Sequence, residues 1–565
     1  MTGEVALLPL LAAIAVLLLT MYLGLQAARR TATLDDYWVA GRGVGVFTNA
    51  SAISSNYLSA ASFLGVAAFV YSYGFDGVWY ATGFAAGYIL LLLFIASPLR
   101  RFGEYTIPDF CAGRFHSARL RRAGIAWTMV ISALYIVAQM VGVGTLMEVV
   151  TGIPWIWGVV LLGGVITLYV AFGGMTGVTV AQMAQFWIML TAMILPLLVL
   201  MPKHNYSELL MHAYESTTAE VGAQLEDHVT MTGDPAFTAE EQQAMGSLRN
   251  WVRPFQRWDL WGSLSLLVAL VCGTAGLPHI LARFYTNPNA SSARWSTVWV
   301  LIFIGVFYIT TPIWGSYARM VLGPDAVTRD AAGVANPNSM MLVTSNMEVG
   351  EWALALVAAG AIAALLSSIS GLLIALSSAI AHDFYAEIFR PNASDRQKMA
   401  VAKIAVVLCG AFAIIVGLAF RDANIAWMVG LAFSIAASTF FPLLLMGIWW
   451  RKMTEQGAYW GLLIGGAISA VIVIGRLAGI WEVEQPAIIS VPAAFLAIYV
   501  VSKLTADRND GMWEKLEASF HALHNPETDL PRDGEMSTVS QTVETAEVST
   551  HEDIETIRHE TDDKR

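Results

Sequence analysis

The chain has 565 residues, of which 56% are hydrophobic and only 13% are charged, and its net charge is −11. Soluble domains carry about 25% charged residues, whereas apolar runs of about 17 to 25 residues recur here, the length that crosses about 30 Å of hydrocarbon. The composition excludes an ordinary soluble domain. It predicts an all-α polytopic membrane protein rather than a barrel of short alternating strands.

The apolar runs predict about thirteen membrane-spanning helices. They lie at residues 5–27, 46–71, 78–98, 123–148, 155–173, 178–201, 259–282, 296–322, 350–381, 403–420, 425–449, 457–475 and 485–502. The 350–381 segment is long for one crossing, which a tilt or an extension beyond the bilayer would accommodate. The region 202–257 is too polar to span and is predicted to be a long loop.

Lysine and arginine are concentrated in alternate loops. Arg100, Arg101, Arg121 and Arg122 lie in one set, while opposite loops such as "YSYGFDG" hold almost none. Because cytoplasmic loops carry the excess of basic residues, the N-terminus is predicted to be extracellular and the C-terminus cytoplasmic. We expect a multi-pass protein of the inner (plasma) membrane.

Two of the predicted spans contain features that interrupt a helix. The second includes "TNASAISSNYLSAASFLG" (Thr48–Gly65), and the seventh includes "VCGTAGLPHILARF" (Val271–Phe284). In the seventh, Gly273, Gly276 and Pro278 lie close together, and proline removes a backbone donor. Unwound backbone at membrane depth leaves carbonyl and N–H groups for ions and anions, so both segments are candidate transport sites.

The two breaks suggest a regular division of the chain. If spans two to six and seven to eleven form two five-helix repeats, each repeat opens with a broken helix, the inverted-repeat plan of many secondary transporters. The predicted parts are an N-terminal helix and cytoplasmic loop (1–45), a first repeat (46–201), an extracellular loop (202–257), a second repeat (258–449), two C-terminal helices (450–502) and an acidic, mostly disordered cytoplasmic tail (503–565).

The helices around the expected ion site carry no formal charge. No Asp, Glu, Lys or Arg lies between Val44 and Ser72, or between Glu351 and His382. A cation without a carboxylate ligand must use carbonyl and hydroxyl oxygens, which favours sodium, whereas a proton carrier usually needs an intramembrane acid or histidine. Proton coupling through His279 remains the alternative. A neutral cage also favours an anionic substrate that balances the cation, with its carboxylate on helix N-terminal amides.

Several stretches resemble the sodium:solute symporter family, over a region from about Leu34 to Ser502. "DDYWVAGR" (Asp35–Arg42) is similar to the entry motif of that family, and "YVAFGGMTGV" (Tyr169–Val178) to its Gly-Gly turn. The resemblance implies a 5+5 inverted-repeat, LeuT-like fold with broken helices at spans 2 and 7. It also implies sodium-driven uptake by alternating access.

Within that family, the acetate and short-chain monocarboxylate permease branch is the most similar. Three stretches carry this resemblance: "GTAGLPHILARF" (Gly273–Phe284), the segment Met428–Ala458, and "EQPAIISVPAAF" (Glu484–Phe495). The first is the most specific, since sugar, proline and pantothenate members differ there. The branch implies a small monocarboxylate as the partner solute.

The resemblance also implies a sodium site of five oxygens. The matching positions are the Ser55 and Leu58 carbonyls, the Ala364 carbonyl, and the Ser367 and Ser368 hydroxyls. The last three positions have the spacing i, i+3, i+4, which places them on one helix face. We therefore expect a hydroxyl-bearing helix to lie against the first broken helix.

Two departures from the family pattern remove carboxylates. Tyr57 stands where some members have Asp, and Ala181 and Gln182 stand where many have Thr-Asp. A small pocket between the two breaks is the expected substrate site, although each of its residues also suits packing or gating. The candidates are Tyr57, Ser59, Ser62, Gln139, Thr274, Gly276 and His279. Small serines and glycines suit acetate, propionate or pyruvate better than a sugar.

The sequence thus predicts a symporter that imports short-chain monocarboxylates with Na+ as the coupling ion. Proton-coupled uptake and sodium symport of another small solute are alternatives. A membrane sensor is disfavoured because only about sixty residues follow the last span, too few for kinase and receiver domains.

Neither an enzyme nor a nucleic-acid partner is expected, since no P-loop, H-E-x-x-H or G-x-S-x-G motif occurs. His382 and Asp383 are interpreted as the polar end of a membrane helix. The expected surroundings are membrane lipid, and the sequence identifies no partner for the tail. Asp510–Leu523 is predicted to form an amphipathic helix at the membrane surface.

Overall fold

A computed structural model shows a bundle of helices. It describes residues 7–28, 34–103, 105–203, 254–255, 257–322, 337–390, 392–421, 423–481, 483, 485–506 and 510–525. These residues form helices and no strand. Most of the predicted 202–257 loop, and the tail after residue 525, lie outside the described residues.

Nineteen α-helices occur in the described part of the chain. The first nine are α1 Leu7–Ala28, α2 Leu34–Val39, α3 Val46–Tyr57, α4 Val66–Tyr73, α5 Phe75–Leu90, α6 Ala96–Phe102, α7 Ile107–Phe115, α8 Ala118–Thr151 and α9 Trp155–Leu200. The others are α10 Leu260–Thr274, α11 Pro278–Leu281, α12 Ala290–Leu322, α13 Met340–Glu348, α14 Glu351–Ser378, α15 Asp395–Gly417, α16 Ile425–Trp449, α17 Glu455–Leu477, α18 Ala487–Thr505 and α19 Asp510–His524.

The described helices account for the predicted spans. Eleven helical segments are long and apolar enough to cross a membrane, and a bent pair, Val46–Tyr57 with Ala61–Tyr73, adds a twelfth. The predicted span 155–173 corresponds to a shorter apolar helix, Trp155–Ala171. The protein is therefore a multi-span membrane protein.

The predicted Gly-Gly turn between two spans is a break at Gly174, which divides α9 into the helices Trp155–Ala171 and Gly174–Leu200. Gly174 has a positive φ of 60°, while the flanking residues remain helical. A Cβ at this position would lie 2.7 Å from the Tyr37 ring. Both the left-handed conformation and the lack of space require glycine here.

The predicted break in the second span is present. Helix α3 ends at Tyr57, Leu58 has the non-helical angles φ −74° and ψ 74°, and the chain resumes as a π-helix over Ala61–Gly65. The two halves are bent by 65°. A Cβ on Gly65 would lie 2.8 Å from the Ala426 nitrogen, so small residues let α16 pack directly against the bend.

The seventh predicted span is also broken. Helix α10 ends at Thr274, Leu277 is extended with φ −74° and ψ 116°, and α11 begins at Pro278. Proline suits the first position of a helix, where its missing N–H would have no partner. A Cβ on Gly276 would lie 2.4 Å from the Ala436 carbonyl oxygen. The backbone at this break therefore lies in direct contact with α16.

Helix α14 occupies the centre of the bundle. It packs against α1, α8 and α9, and its most apolar 18-residue window is 100% buried. Beyond Ser378 the helical path continues as a π-helix over Ala379–Phe389, which explains the length of the predicted span. Hydroxyl groups are tolerated in this helix because they face protein rather than lipid.

Helix α19 confirms the predicted helix near the C-terminus and packs against the bundle. Arg114 Nη1 donates a hydrogen bond to the Leu516 carbonyl oxygen at 3.0 Å, and His116 and Ser519 are hydrogen-bonded at 3.0 Å. These bonds fasten α19 to the end of α7. Its polar groups therefore contact protein rather than only a membrane surface.

Candidate sodium and substrate site

The end of α3 and the middle of α14 meet beside the first break. Ser368 Oγ donates a hydrogen bond to the Asn56 carbonyl oxygen at 3.1 Å. A Cβ on Gly371 would lie 1.9 Å from Asn56 Oδ1, so this close approach depends on glycine. The Asn56 amide donates to the His279 carbonyl oxygen at 3.2 Å. One side chain thus connects the central helix and both broken helices.

Because of the break, two backbone N–H groups that follow α3 do not bond to the carbonyl oxygens four residues earlier. The Ser59 N–H, which would bond to the Ser55 carbonyl in a continuous helix, bonds to the Tyr57 carbonyl at 2.8 Å. The Ala60 N–H bonds to Gln139 Oε1 at 3.1 Å. Helix ends leave carbonyl acceptors of this kind, and these lie inside the protein, where an ion could use them.

The five predicted sodium ligands are completely buried. Ser55, Leu58, Ala364, Ser367 and Ser368 all have 0% exposure. The Ser55 and Ser367 hydroxyls have no hydrogen-bond partner within the described part of the chain. Buried polar atoms are normally satisfied, so the orphaned Ser367 hydroxyl, one of the two predicted hydroxyl ligands, fits a hard cation that takes neutral oxygen ligands.

Gln182 and Arg283 form a polar bridge next to this junction. Gln182 Nε2 donates to the Ser367 carbonyl oxygen at 2.8 Å, and Gln182 Oε1 accepts a hydrogen bond from Arg283 Nη2. Arg283 Nη1 donates to Thr179 Oγ1 at 2.6 Å. The sequence reasoning missed Arg283 as a site residue. An arginine within the interrupted segment Val271–Phe284 was the signal that could have identified it.

Two substrate candidates connect the two breaks directly. Tyr57 Oη lies 2.7 Å from Thr274 Oγ1 and donates to the Phe84 carbonyl oxygen at 2.9 Å. The Thr274 hydroxyl donates either to Tyr57 Oη or to the Leu270 carbonyl oxygen, which lies at 2.8 Å. The two hydroxyls therefore already have protein partners, and a substrate would compete with them.

A second group of candidates surrounds Tyr135. Its hydroxyl donates to Ser59 Oγ at 3.1 Å, and its ring meets the His279 imidazole edge-on at 5.3 Å between centroids. Gln139 Nε2 and both ring nitrogens of His279 are buried and have no partner among the described residues. These unsatisfied groups make this the polar part of the candidate pocket.

The remaining two candidates face other neighbours. Ser62 Oγ lies 2.7 Å from Tyr308 Oη, and Gly276 lies against the Ala436 carbonyl. Both positions therefore have packing contacts that account for their residue types. Neither makes a hydrogen bond to the Tyr135 group in the described residues.

Aromatic rings enclose the space between the breaks. Tyr88 meets Tyr57 at 4.8 Å between centroids, Phe433 meets Phe84 at 5.0 Å, and Tyr308 stacks on Phe84 at 5.8 Å. The sequence reasoning did not select Tyr88, Phe433 or Tyr308, because aromatic residues are common in apolar helices. These rings pack closely around Tyr57 and Phe84 on several sides.

Near the "HDFY" sequence lies a buried ionic cluster. Thr106 and Asp109 form the capping box at the start of α7, Asp109 pairs with Arg121 at 3.3 Å and with His382 at 3.1 Å, and Thr106 Oγ1 donates to Asp383 Oδ1 at 2.9 Å. Burial raises the pKa of Asp109, but His382, Arg121 and the Thr106 hydroxyl together lower the pKa below its ordinary value.

This ionic cluster suits the end of a membrane helix, as predicted. The ligand atoms of Asp109, His382 and Asp383 lie within 4.8 Å of one another, a spacing at which they could hold a metal ion. Asp109 already pairs with Arg121 and His382, which supports a structural ion-pair network. Because the pKa of Asp109 is lowered, this stabilisation is present above the unfolded-state pKa and is lost on acidification.

Apolar spanning helices, with two interrupted helices that meet at a buried polar centre, define a polytopic membrane transporter. The sodium:solute symporter family matches residues 37–465 of this chain, and the chain belongs to that family. Na+ is its coupling ion.

Two solved structures share this fold. One is a substrate-bound, outward-open Na+-coupled sialic acid symporter, with a TM-score of 0.62 and 15% identity over 88% of this chain and 98% of that one. The other is Mhp1, a nucleobase-cation-symport-1 family transporter in a closed conformation, with a TM-score of 0.50 and 13% identity over 86% of this chain and 98% of that one. The predicted LeuT-like fold is confirmed.

Proposed function

We propose that this symporter imports short-chain monocarboxylates such as acetate, propionate or pyruvate. The observation that carries the proposal is the charge balance at the junction of α3 and α14. The Ser367 hydroxyl has no described partner, and the carbonyl oxygens at the end of α3 lack the N–H donors of a continuous helix. Neither α3 nor the middle of α14 contributes a carboxylate there. A cation in a low-dielectric site is stabilised by an opposite charge, which an anionic substrate would supply.

The aromatic packing around the substrate candidates supports a small substrate. Tyr57, Phe84, Tyr88 and Phe433 are all buried and in ring contact. This packing leaves little room for a sugar with its own set of hydrogen bonds. The resemblance of Gly273–Phe284 to acetate permeases favours the same class of solute.

We also propose the orientation. Arg100, Arg114, Arg119 and Arg121 lie on α6, α7 and the start of α8, and basic residues mark the cytoplasmic side. That side, called the basic face below, would hold the C-terminus, and the N-terminus would lie outside. The proposed location is the inner (plasma) membrane.

Uptake by the purified protein in proteoliposomes tests this function. We expect labelled acetate to enter under an inward sodium gradient alone, and propionate and pyruvate to compete better than proline. Sodium-independent uptake would contradict the coupling we propose. Competition by proline but not by propionate would indicate another solute.

Proton coupling through His279 is the second candidate, since the ring nitrogens of His279 have no described partner. We expect His279→Gln to lower the affinity for acetate about tenfold, because a donor to the substrate is displaced. The pH profile of sodium-driven uptake should keep its shape. Loss of pH dependence, together with uptake driven by a proton gradient in the wild type, would support the proton relay instead.

A further inference from the structure

A small cavity lies between the second break and the basic face. Its walls include Thr106, Thr128, His279, Arg283 and Asp383. About 20 Å³ is open to the centres of water molecules, which is room for one or two waters. The cavity thus joins the candidate substrate pocket at His279 to the ionic cluster at Asp383.

The polar atoms around this cavity are unusually poorly satisfied. Thr128 Oγ1, both nitrogens of His279, Arg283 Nε and Asp383 Oδ2 are buried and have no hydrogen-bond partner within the described residues. Their side chains are at most 3% exposed. Buried polar atoms usually have partners, so four residues with orphaned atoms around one cavity mark a polar site that water or a ligand would occupy.

Arg283 carries the charge of this site. Two of its three nitrogens bond to neutral groups, Thr179 Oγ1 and Gln182 Oε1. No described carboxylate lies within ion-pair distance of Arg283. A buried guanidinium that makes no direct ion pair is costly inside a membrane protein. Its unsatisfied Nε–H therefore favours an anion.

The donors around the cavity match one carboxylate group in number. Arg283 Nε–H, one N–H of the His279 ring and the Thr128 hydroxyl are three donors for two carboxylate oxygens, and charge-assisted hydrogen bonds of this kind are strong. Asp383 lines the same cavity, and when ionised it would repel an anion. Its repulsion would keep an anion from being held permanently.

We propose that Arg283 forms a second carboxylate site, on the release side of the break, through which the substrate anion passes to the basic face. This rests on the proposed function, because it assumes an anionic substrate that leaves through the basic face. In this site, Arg283 contacts the substrate carboxylate directly. Asp383 weakens that contact.

Four proteins test the site: the wild type, Arg283→Lys, Arg283→Gln and Asp383→Asn. Binding of labelled acetate to each purified protein is measured at saturating sodium, with acetamide as an uncharged competitor. We expect Arg283→Gln to weaken acetate binding at least about tenfold and Arg283→Lys to weaken it less, because lysine keeps the charge. Asp383→Asn, which keeps its acceptor for Thr106, should strengthen binding.

Arg283→Gln is expected to weaken acetate binding and Asp383→Asn to strengthen it. A general structural defect would instead weaken acetate binding in both variants. Displacement of acetate by acetamide should be absent. Unchanged binding in Arg283→Gln, or weaker binding in Asp383→Asn, would overturn the assignment. Uptake is measured separately, so a protein that binds acetate through Arg283 without transporting it would contradict the proposed function alone.

Discussion

Ser367→Ala is expected to raise the sodium concentration for half-maximal uptake by about 10- to 100-fold, equivalent to roughly 1.4 to 2.8 kcal/mol. The Ser367 hydroxyl is completely buried and has no hydrogen-bond partner among the described residues. Its removal therefore leaves no described protein group unsatisfied, and the substitution is expected to weaken sodium binding only. The dependence of acetate uptake on sodium concentration is the measurement.

Ser377→Ala is the matched control for this prediction. Ser377 lies on the same helix, and its hydroxyl donates to the Ile374 carbonyl oxygen at 2.9 Å within that helix. We expect this substitution to leave the sodium requirement within about twofold, since such bonds contribute little net free energy. Equal sodium requirements in the Ser367→Ala and Ser377→Ala proteins would show that the sodium site lies elsewhere.

Gly371→Ala is expected to reduce sodium-driven uptake to less than about a tenth of the wild-type rate. The added Cβ would lie 1.9 Å from Asn56 Oδ1. Asn56 cannot move away freely, because its amide donates to the His279 carbonyl and its own carbonyl accepts from Ser368. The helices must then separate, which costs about 1 to 3 kcal/mol and moves α14 away from the break.

Gly305→Ala provides the control for an added methyl group. No heavy atom lies within 4 Å of the Cβ position at Gly305, in the interior of α12. This change should preserve uptake, because alanine has a higher helix propensity than glycine. Uptake is normalised to the amount of folded protein in the membrane. Wild-type uptake in Gly371→Ala would refute the close approach of α14 to Asn56.

Much of the fold could be predicted from local sequence signals. Apolar runs of bilayer length predict spans, and the described helices match them. Gly276 and Pro278 predict the second break because neither suits a helix interior, and the observed helices end at Thr274 and restart at Pro278. The Gly-Gly sequence also predicts a turn between two spans, and the observed helices are interrupted at Gly174.

The site could be predicted only in part. The spacing of Ala364, Ser367 and Ser368 already places them on one helix face, and the structure puts Ser368 in contact with the end of α3. The substrate candidates were chosen as small polar residues near the breaks. No local pattern ranks these candidates, because the partners Tyr135 of Ser59 and Tyr308 of Ser62 come from helices that are distant in sequence.

The sequence by itself determined a multi-span helical membrane protein with two interrupted helices, because helix length, apolar character and helix-breaking residues act locally. Only the tertiary structure decided which groups meet. Gln182 bonds to both Ser367 and Arg283, residues 185 and 101 positions away along the chain, and Arg283 lines a cavity with Asp383. Such partners depend on how the helices pack against one another, which no local pattern specifies.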